Sequence, residues 1–460
     1  MIFEQYYLDC LSHASYLIGD ETSGVAVVVD PQRDVSGYLA DADVGGLSID
    51  YVIETHFHAD FLSGHLELAD RTGAEICYGD TAETDFPSRK LADGERIGLG
   101  SVELEIRATP GHTPESISIV VYERAGDAVP YGVLTGDTMF IGDVGRPDLL
   151  SSAGASADDL ARLLYHSLQE KLLTLPDETR VFPAHGAGSS CGKNLSTATQ
   201  STIGEQRRTN HALAPMSEEE FVAVVTEGQP LAPLYFSYDA SRNRQTRPLL
   251  DEVSPPPALE LEGVLALRAD GAVILDTRTA QEHAAGHLAG SINVGLDGRF
   301  AEFAGDVVSP ADRIVLVSEP GTELEAKVRL ARIGFDDIAG HLRDPVQAFL
   351  EHPEATERSS RLTADELVAR LSELSDLVVV DVRNPGEVES TGAIDGAVRL
   401  PLPRLTEGVG SLDKGRATVV YCAGGYRSSL AASVLRARGF SDVSDLLGGF
   451  GAWALSTGKK

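Results

Sequence analysis

Three histidines and an aspartate fall within the eleven residues of THFHADFLSGH, from Thr55 to His65. His56, His58 and Asp60 alternate directly after an apolar run, YVIE, that reads as a strand, so a single loop can turn several of these side chains inward. Further along, His112 in TPGHT, Asp137 in TGDT and His185 in PAHG each follow another strand-like run. Imidazole and carboxylate donors gathered at the ends of several strands predict a metal centre. Whether it takes one ion or two decides which chemistry it favours. His65 begins a helix-like run, HLELADRTG, in which Leu66 and Ala69 are expected to face inward, and its role reads as structural.

A second constellation stands in VVYCAGGYRSSLAASVLRARGF. Cys422 lies immediately after a buried strand and before a helix expected to begin at Ser428. Gly424 and Gly425 allow the loop Cys422-Ala-Gly-Gly-Tyr426-Arg427 to curl its backbone N–H groups toward the sulfur. The helix N-terminus adds positive potential, and together these lower the cost of an anionic sulfur. Cys10, Cys77 and Cys191 complete the set of four cysteines. None forms a CxxC pair, and four in 460 residues make no disulfide framework. Cys10 and Cys77 are expected in cores. Cys191, six residues past His185, is a candidate second thiol beside the metal.

The elements that must position these groups are legible as runs. Up to about Leu175, strand-like segments such as GVAVVVD, YVIET, SVELEIRATPG and YGVLTGD alternate with turns and helix patterns, and near Pro183 a further run, TRVFPAHG, ends the first domain's sheet. Residues 186–250 add a Gly/Ser-rich loop, a helix-like MSEEEFVAVVTEG and a basic patch, SRNRQTRPLL. The tract DEVSPPPALE, 251–260, reads as a semi-rigid linker. Beyond it the chain repeats itself: residues 271–294 match 376–400, and 313–335 match 417–440. Each copy alternates strands with helices, which predicts a parallel sheet covered on both faces. The second copy opens on a capping box, Thr363 with Glu366. The expected domains are therefore 1–250, 261–356 and 361–460, with the linker between the first two.

With 42% hydrophobic residues the chain can build packed cores, and no apolar run reaches the ~18 residues needed to span a bilayer. The N-terminus lacks the basic and apolar regions of a secretory signal, so a cytoplasmic protein is expected. Asp and Glu number 70 against 38 Lys and Arg, a net charge of -32, which repels nucleic acid and anionic membranes. Homo-oligomerisation stays open.

The pattern HxHxD…H…D…H resembles the metallo-β-lactamase superfamily over roughly residues 1–250, which implies an αββα sandwich with metal at one edge. Many members carry a histidine after the aspartate for a second zinc; here that residue is Phe61, an apolar wall that cannot coordinate. This argues for one metal and against dinuclear hydrolases such as glyoxalase II. The resemblance to persulfide dioxygenases of this superfamily implies one Fe(II) per chain on His56, His112 and Asp137. His58, Asp60 and His185 then orient ligands or ordered water. The tract HADFLSGH is also similar to the branch fused to rhodanese domains.

The Cys422 loop, with DVRNPGEV and LLGGFGAW around it, resembles rhodaneses, the thiosulfate:thiol sulfurtransferases. A phosphatase relative of that fold uses a loop one residue longer than the six from Cys422 to Arg427. Cys422 and Arg427 are thereby expected to be catalytic, with Gly424, Gly425 and Tyr426 contacting substrate. The middle copy places Ser318 where Cys422 sits, followed by Glu319 and Pro320. Serine cannot carry a sulfane sulfur, and Glu319 and Glu323 repel anions, so an interaction or spacer role is expected.

The resemblance implies a substrate such as glutathione or coenzyme A persulfide, with O2, sulfite and thiosulfate as partners. Such carriers are anionic. Arg146 matches an active-site arginine of the family, and Lys193, Arg242, Arg244 and Arg247 are further cationic candidates. Two other readings stand beside this one: a zinc thioesterase or hydrolase fused to a sulfurtransferase, and a non-enzymatic sulfur carrier or sensor scaffold.

Overall fold

The computed structural model describes residues 1–149, 154 and 156–458. Leu150 of the GDVGRPDLL stretch and the last two residues of the expected 361–460 domain lie outside the described residues. The chain divides into two compact units, Met1–Asp251 with Ala331–Gly334, and Glu252–Leu330 with Phe335–Lys460.

In the first unit, β-branched runs build two six-stranded sheets. One holds β1 (Ile2–Leu8), β2 (His13–Asp20), β3 (Val25–Val29), β4 (Ser48–Ile53), β5 (Glu75–Gly79) and β6 (Arg89–Leu91) in that order. The other comprises β7 (Arg96–Gly98), β8 (Glu103–Ala108), β9 (Ile117–Tyr122), β10 (Gly132–Gly136), β11 (Arg180–Pro183) and β12 (Ser201–Thr202), again in order. Alternate residues meet between the sheets: Ala14, Tyr16 and Ile18, Val27 and Val29, against Leu104 and Ile106, and Ile117, Ile119 and Val121. The intervening residues face outward onto helices. Leu17, Val28 and Val52 pack with Tyr38 and Leu68, while Val120, Val133 and Val181 pack with Leu164 and Phe221. The result is the expected αββα sandwich, in which each fully buried aliphatic side chain contributes about 1.5–3 kcal/mol.

The helix His65–Thr72 differs from expectation. It buries His65, Glu67 and Leu68 most deeply, while Leu66 and Ala69, expected inside, are partly buried and pack against the cluster of Phe57, Ile76, Tyr78 and Phe86. Glu67 is drawn in because Arg33 and Arg247 meet its Oε1 at 3.1 and 2.6 Å; a carboxylate buried between two guanidinium groups outranks the apolar stripe.

Strand direction assembles the site. β3 and β4 run parallel, as do β10 and β11, and β8 shares the direction of β10 across an antiparallel β9. The residues after β8, β10 and β11 therefore emerge at one edge, where the first sheet delivers those after β3 and β4. The Ala14 amide donates to the Ala184 carbonyl at 2.7 Å and ties the two sheets together there.

The second unit contains two five-stranded parallel sheets of the same strand order. One runs Ala258–Leu259, Ile338–Leu342, Ile314–Val317, Val273–Asp276, Ile292–Asn293; the other runs Ser360–Leu362, Val443–Leu446, Thr418–Tyr421, Val378–Asp381, Val398–Arg399. The end of the proline tract is not linker: Ala258 and Leu259 pair in parallel with His341 and Leu342. An edge strand can follow three prolines because its first pairing uses a proline carbonyl, Pro257 accepting from the His341 amide. The capping box of Thr363 and Glu366 is formed at the helix Ala364–Glu373.

Candidate functional site

His56, His112 and Asp137 are buried, and one ligand atom of each lies within 4.8 Å of the others. Nε2 of His56 stands 3.8 Å, and Nε2 of His112 3.5 Å, from Asp137 Oδ2. Metal bonds of about 2.0–2.2 Å place neighbouring ligand atoms at comparable separations. Hydrogen bonding fixes the tautomers. His112 Nδ1 faces the Arg146 carbonyl at 2.9 Å, which can only accept, so the proton is on Nδ1 and Nε2 is bare. Thr55 Oγ1 donates to Asp30 Oδ2 at 2.8 Å and is left to accept from His56 Nδ1 at 2.9 Å, with the same consequence. Burial, followed by the neighbouring imidazoles, pushes the His56 pKa well down and keeps the ring neutral. Asp137 Oδ2 finds no hydrogen-bond partner among the described residues. Three lone-pair atoms thus converge in a dry place with no proton between them, an arrangement that fits a cation.

His185 supports this trio. Its Nδ1 meets Asp137 Oδ1 and its Nε2 meets Asp60 Oδ2, both at 2.7 Å. Burial alone would lower its pKa, but the two carboxylates outweigh that and raise it well above the ordinary value. Asp60 is itself brought down to about 2, His185 prevailing over burial. His58 turns toward the first sheet, with Nε2 3.1 Å from Asp30 Oδ1 and 3.6 Å from Glu54 Oε2. Even so, His58, Asp60 and His185 also offer ligand atoms within 4.8 Å of one another. Phe61 packs its ring 4.4 Å from that of His58 and 4.0 Å from that of His13.

His13 is the residue that sequence reasoning missed. It is buried, bridges to His185 between strands, and its Nε2 has no partner among the described residues. It enters at the N-terminal end of β2, because an antiparallel strand begins at the edge where its neighbours finish. Asp30, in left-handed backbone at φ 49°, is a second such residue. It binds the Thr55 amide and hydroxyl and faces His58.

The cations expected to meet substrate are otherwise engaged. Arg146 is buried and holds Asp148 through Nε and Nη2, both at 2.7 Å, and the Ser190 carbonyl through Nη1 at 3.1 Å. Its backbone carbonyl is the group that meets His112 Nδ1. Lys193 Nζ caps the helix Glu218–Thr226 region through the carbonyls of Val224 and Glu227. Arg247 is buried against Glu67 and the Ser63 carbonyl, Arg242 bonds Gln245, and Arg244 lies over the Phe57 ring. Cys191 is buried, with Sγ among ligand atoms of Asp137 and His185. Burial, then Asp60 and Asp137, push its thiol well up, so it stays protonated. Cys77 is core, pushed to about 12 chiefly by burial, whereas Cys10 sits half-buried in a turn.

In the second unit, Cys422 follows the strand Thr418–Tyr421 and is 2% exposed. Its helix, Tyr426–Ala437, begins two residues earlier than expected. Gly425, at φ 104°, turns its N–H onto Cys422 Sγ at 3.1 Å, and Ser428 Oγ stands 3.6 Å away. Gly424 is exposed at the loop's rim. Arg427 grips Glu387 with both terminal nitrogens, at 2.7 and 2.6 Å. The Tyr426 hydroxyl, expected to contact substrate, donates to the Gly295 carbonyl. In the middle repeat, Ser318 is buried and accepts from Thr277 Oγ1 at 2.8 Å. Glu319 beside it is raised in pKa, first by the charge of Glu282, which makes that loop hostile to anions.

Comparison with known proteins agrees with this division. The metallo-beta-lactamase superfamily matches residues 8–185, and the rhodanese-like domain family matches 261–351 and 363–456. Persulfide dioxygenase ETHE1, mitochondrial, of Bos taurus is 33% identical over 217 residues, 46% of this chain and 75% of the relative. Its Homo sapiens counterpart is 32% identical over 215 residues, 46% of this chain and 75% of that protein. The crystal structure of a metallo-beta-lactamase from Staphylococcus aureus subsp. aureus COL superposes with a TM-score of 0.67 at 34% identity, over 75% of this chain and 99% of that one. No helix among the described residues is long and apolar enough to cross a membrane.

Proposed function

Since this chain belongs to the persulfide dioxygenase family of the metallo-β-lactamase superfamily, with two rhodanese-like domains behind it, we propose that it oxidises low-molecular-weight persulfides with O2 and moves sulfane sulfur through Cys422. The observation that carries the first half is the convergence of two bare imidazole nitrogens and an unpartnered carboxylate oxygen at His56, His112 and Asp137. One Fe(II) per chain would be held there by His56, His112 and Asp137 and would supply the redox chemistry for persulfide and O2. His185 holds Asp137 in place, Thr55 and the Arg146 carbonyl hold the two histidines, and Phe61 presents an apolar wall. The stoichiometry balances as RSSH + O2 + H2O giving RSH, sulfite and two protons, with R a glutathione or coenzyme A type carrier.

At Cys422 the thiolate attacks the outer sulfur of thiosulfate, the S–S bond of thiosulfate breaks, sulfite leaves, and a Cys422 persulfide remains. Run in reverse, a Cys422 persulfide passes its outer sulfur to sulfite and makes thiosulfate. The sulfite produced by persulfide oxidation would therefore be the acceptor at Cys422, which gives the fusion a chemical reason.

The trio His58, Asp60 and His185 favours a second reading, a zinc hydrolase with two ions. Against it, Phe61, which cannot coordinate, packs its ring 4.4 Å from that of His58. Anaerobic metal analysis with oxygen uptake on glutathione persulfide decides between them. The expected result is about one iron per chain and, in His112→Ala, loss of metal and of oxygen uptake together with retained thiosulfate sulfurtransfer. Two zinc ions per chain without oxygen uptake would overturn the dioxygenase.

A further inference from the structure

The helix Tyr426–Ala437, whose first turn holds the sulfur of Cys422, meets the middle repeat along one stripe. Tyr426 and Ser433 are seven residues apart, two helical turns, and so share a face. The Tyr426 hydroxyl donates to the Gly295 carbonyl at 2.5 Å, and its ring lies 5.2 Å from that of Phe303. Ser433 Oγ accepts from the Asn293 amide at 2.9 Å. Asn293 ends the edge strand Ile292–Asn293, and its own side-chain amide is fixed to the carbonyls of Asp276 and Arg278 at 3.0 and 2.9 Å. Both anchor points on the middle repeat are thus backbone groups of a braced segment. On the chain, Tyr426 stands between Gly425, whose N–H meets the sulfur, and Arg427, which grips Glu387.

We infer that the middle repeat, which lacks a sulfur nucleophile, is the platform that holds the sulfur-carrying loop of the last repeat, with Tyr426 as the positioning residue. This rests on the reading that Cys422 transfers sulfur. The Tyr426–Gly295 bond fixes the start of the helix, and with it the angle at which the Gly425 N–H and the helix N-terminus face Cys422 Sγ. Donors aimed at a reacting atom lose most of their effect when displaced by a fraction of an ångström. The middle repeat is thereby part of the sulfur site without touching sulfur.

The test uses the full chain with Tyr426→Phe, Ser433→Ala and the double variant. Tyr426→Phe keeps the ring against Phe303 and removes only the hydroxyl. Sulfur transfer from thiosulfate to cyanide should fall about fivefold in kcat for each lost hydrogen bond, with KM for thiosulfate held within about twofold. Alkylation of Cys422 by iodoacetamide, followed on its own peptide by mass spectrometry, should slow in parallel. Thr363→Ala, which uncaps a helix elsewhere in the same repeat, should lower thermal stability and leave both rates unchanged. Wild-type kcat and wild-type alkylation in the double variant would overturn the inference, as would equal slowing in Thr363→Ala. If the wild-type chain moves no sulfur, the functional reading fails, and the alkylation rates still decide the positioning.

Discussion

Both ring nitrogens of His185 end on carboxylates, and that single arrangement decides much of the chemistry available at the metal centre. A histidine placed in this way orients Asp137, and it also offers a ligand atom to the trio it forms with His58 and Asp60. Phe61 closes the same side, its ring against His13 and His58. Phe61→His would put an imidazole beside Asp60 and His58. We expect that variant to gain zinc, approaching a second ion per chain, and to lose oxygen uptake with persulfide. Metal content unchanged from wild type would show that residue 61 does not govern the number of ions. Sequence made the ligand types legible because HxHxD is local and its side chains have no other reason to alternate. It could not show that Arg146 and Lys193 are already held by Asp148 and by backbone carbonyls, since charge is written in the sequence and its partners are not.

Strand ends and loop turns set what the elements contribute. The site residues after β4, β8, β10 and β11 could be read because each follows a strand-like run. His13 escaped because it begins its strand instead of following it, and only the antiparallel pairing of β2 with β3 brings it to the same edge. The early start of the Cys422 helix has a similar cause. Gly425 at φ 104° closes the loop in a conformation that leaves Tyr426 free to begin the helix. An alanine at 425 would be strained by about 1–2 kcal/mol there, and its Cβ would stand 3.1 Å from the Gly448 amide nitrogen. Gly425→Ala should therefore cut thiosulfate sulfurtransfer at least tenfold, while oxygen uptake stays at the wild-type rate, because the candidate metal site lies in the other unit. Equal loss of both activities would show general unfolding instead.

The whole chain pairs a metallo-β-lactamase unit with a tandem of similar α/β repeats. Cys422→Ser keeps side-chain size and helix start. Persulfide-dependent oxygen uptake should persist in that variant, and the product should shift from thiosulfate toward sulfite. Measuring products at short times and low substrate keeps the spontaneous reaction of persulfide with sulfite small. Thiosulfate formed at the wild-type rate would break the proposed coupling and direct attention to Cys191.

The two repeats also carry the same Asp-x-Arg clasp. In the middle repeat Arg278 binds Asp276 and the Gly286 carbonyl; in the last, Arg383 binds Asp381 and the Gly392 carbonyl. A copy without the nucleophile has no chemistry to preserve, so it serves as an inbuilt control for its sibling. Whatever survives in both copies answers to folding, and whatever differs answers to reaction. By that criterion the Asp381–Arg383 clasp belongs to the architecture of the fold, although it stands one strand away from the sulfur. The same criterion gives a rule for engineering: restoring a cysteine at 318 would not revive the middle repeat until Glu319 and Glu282 were also neutralised.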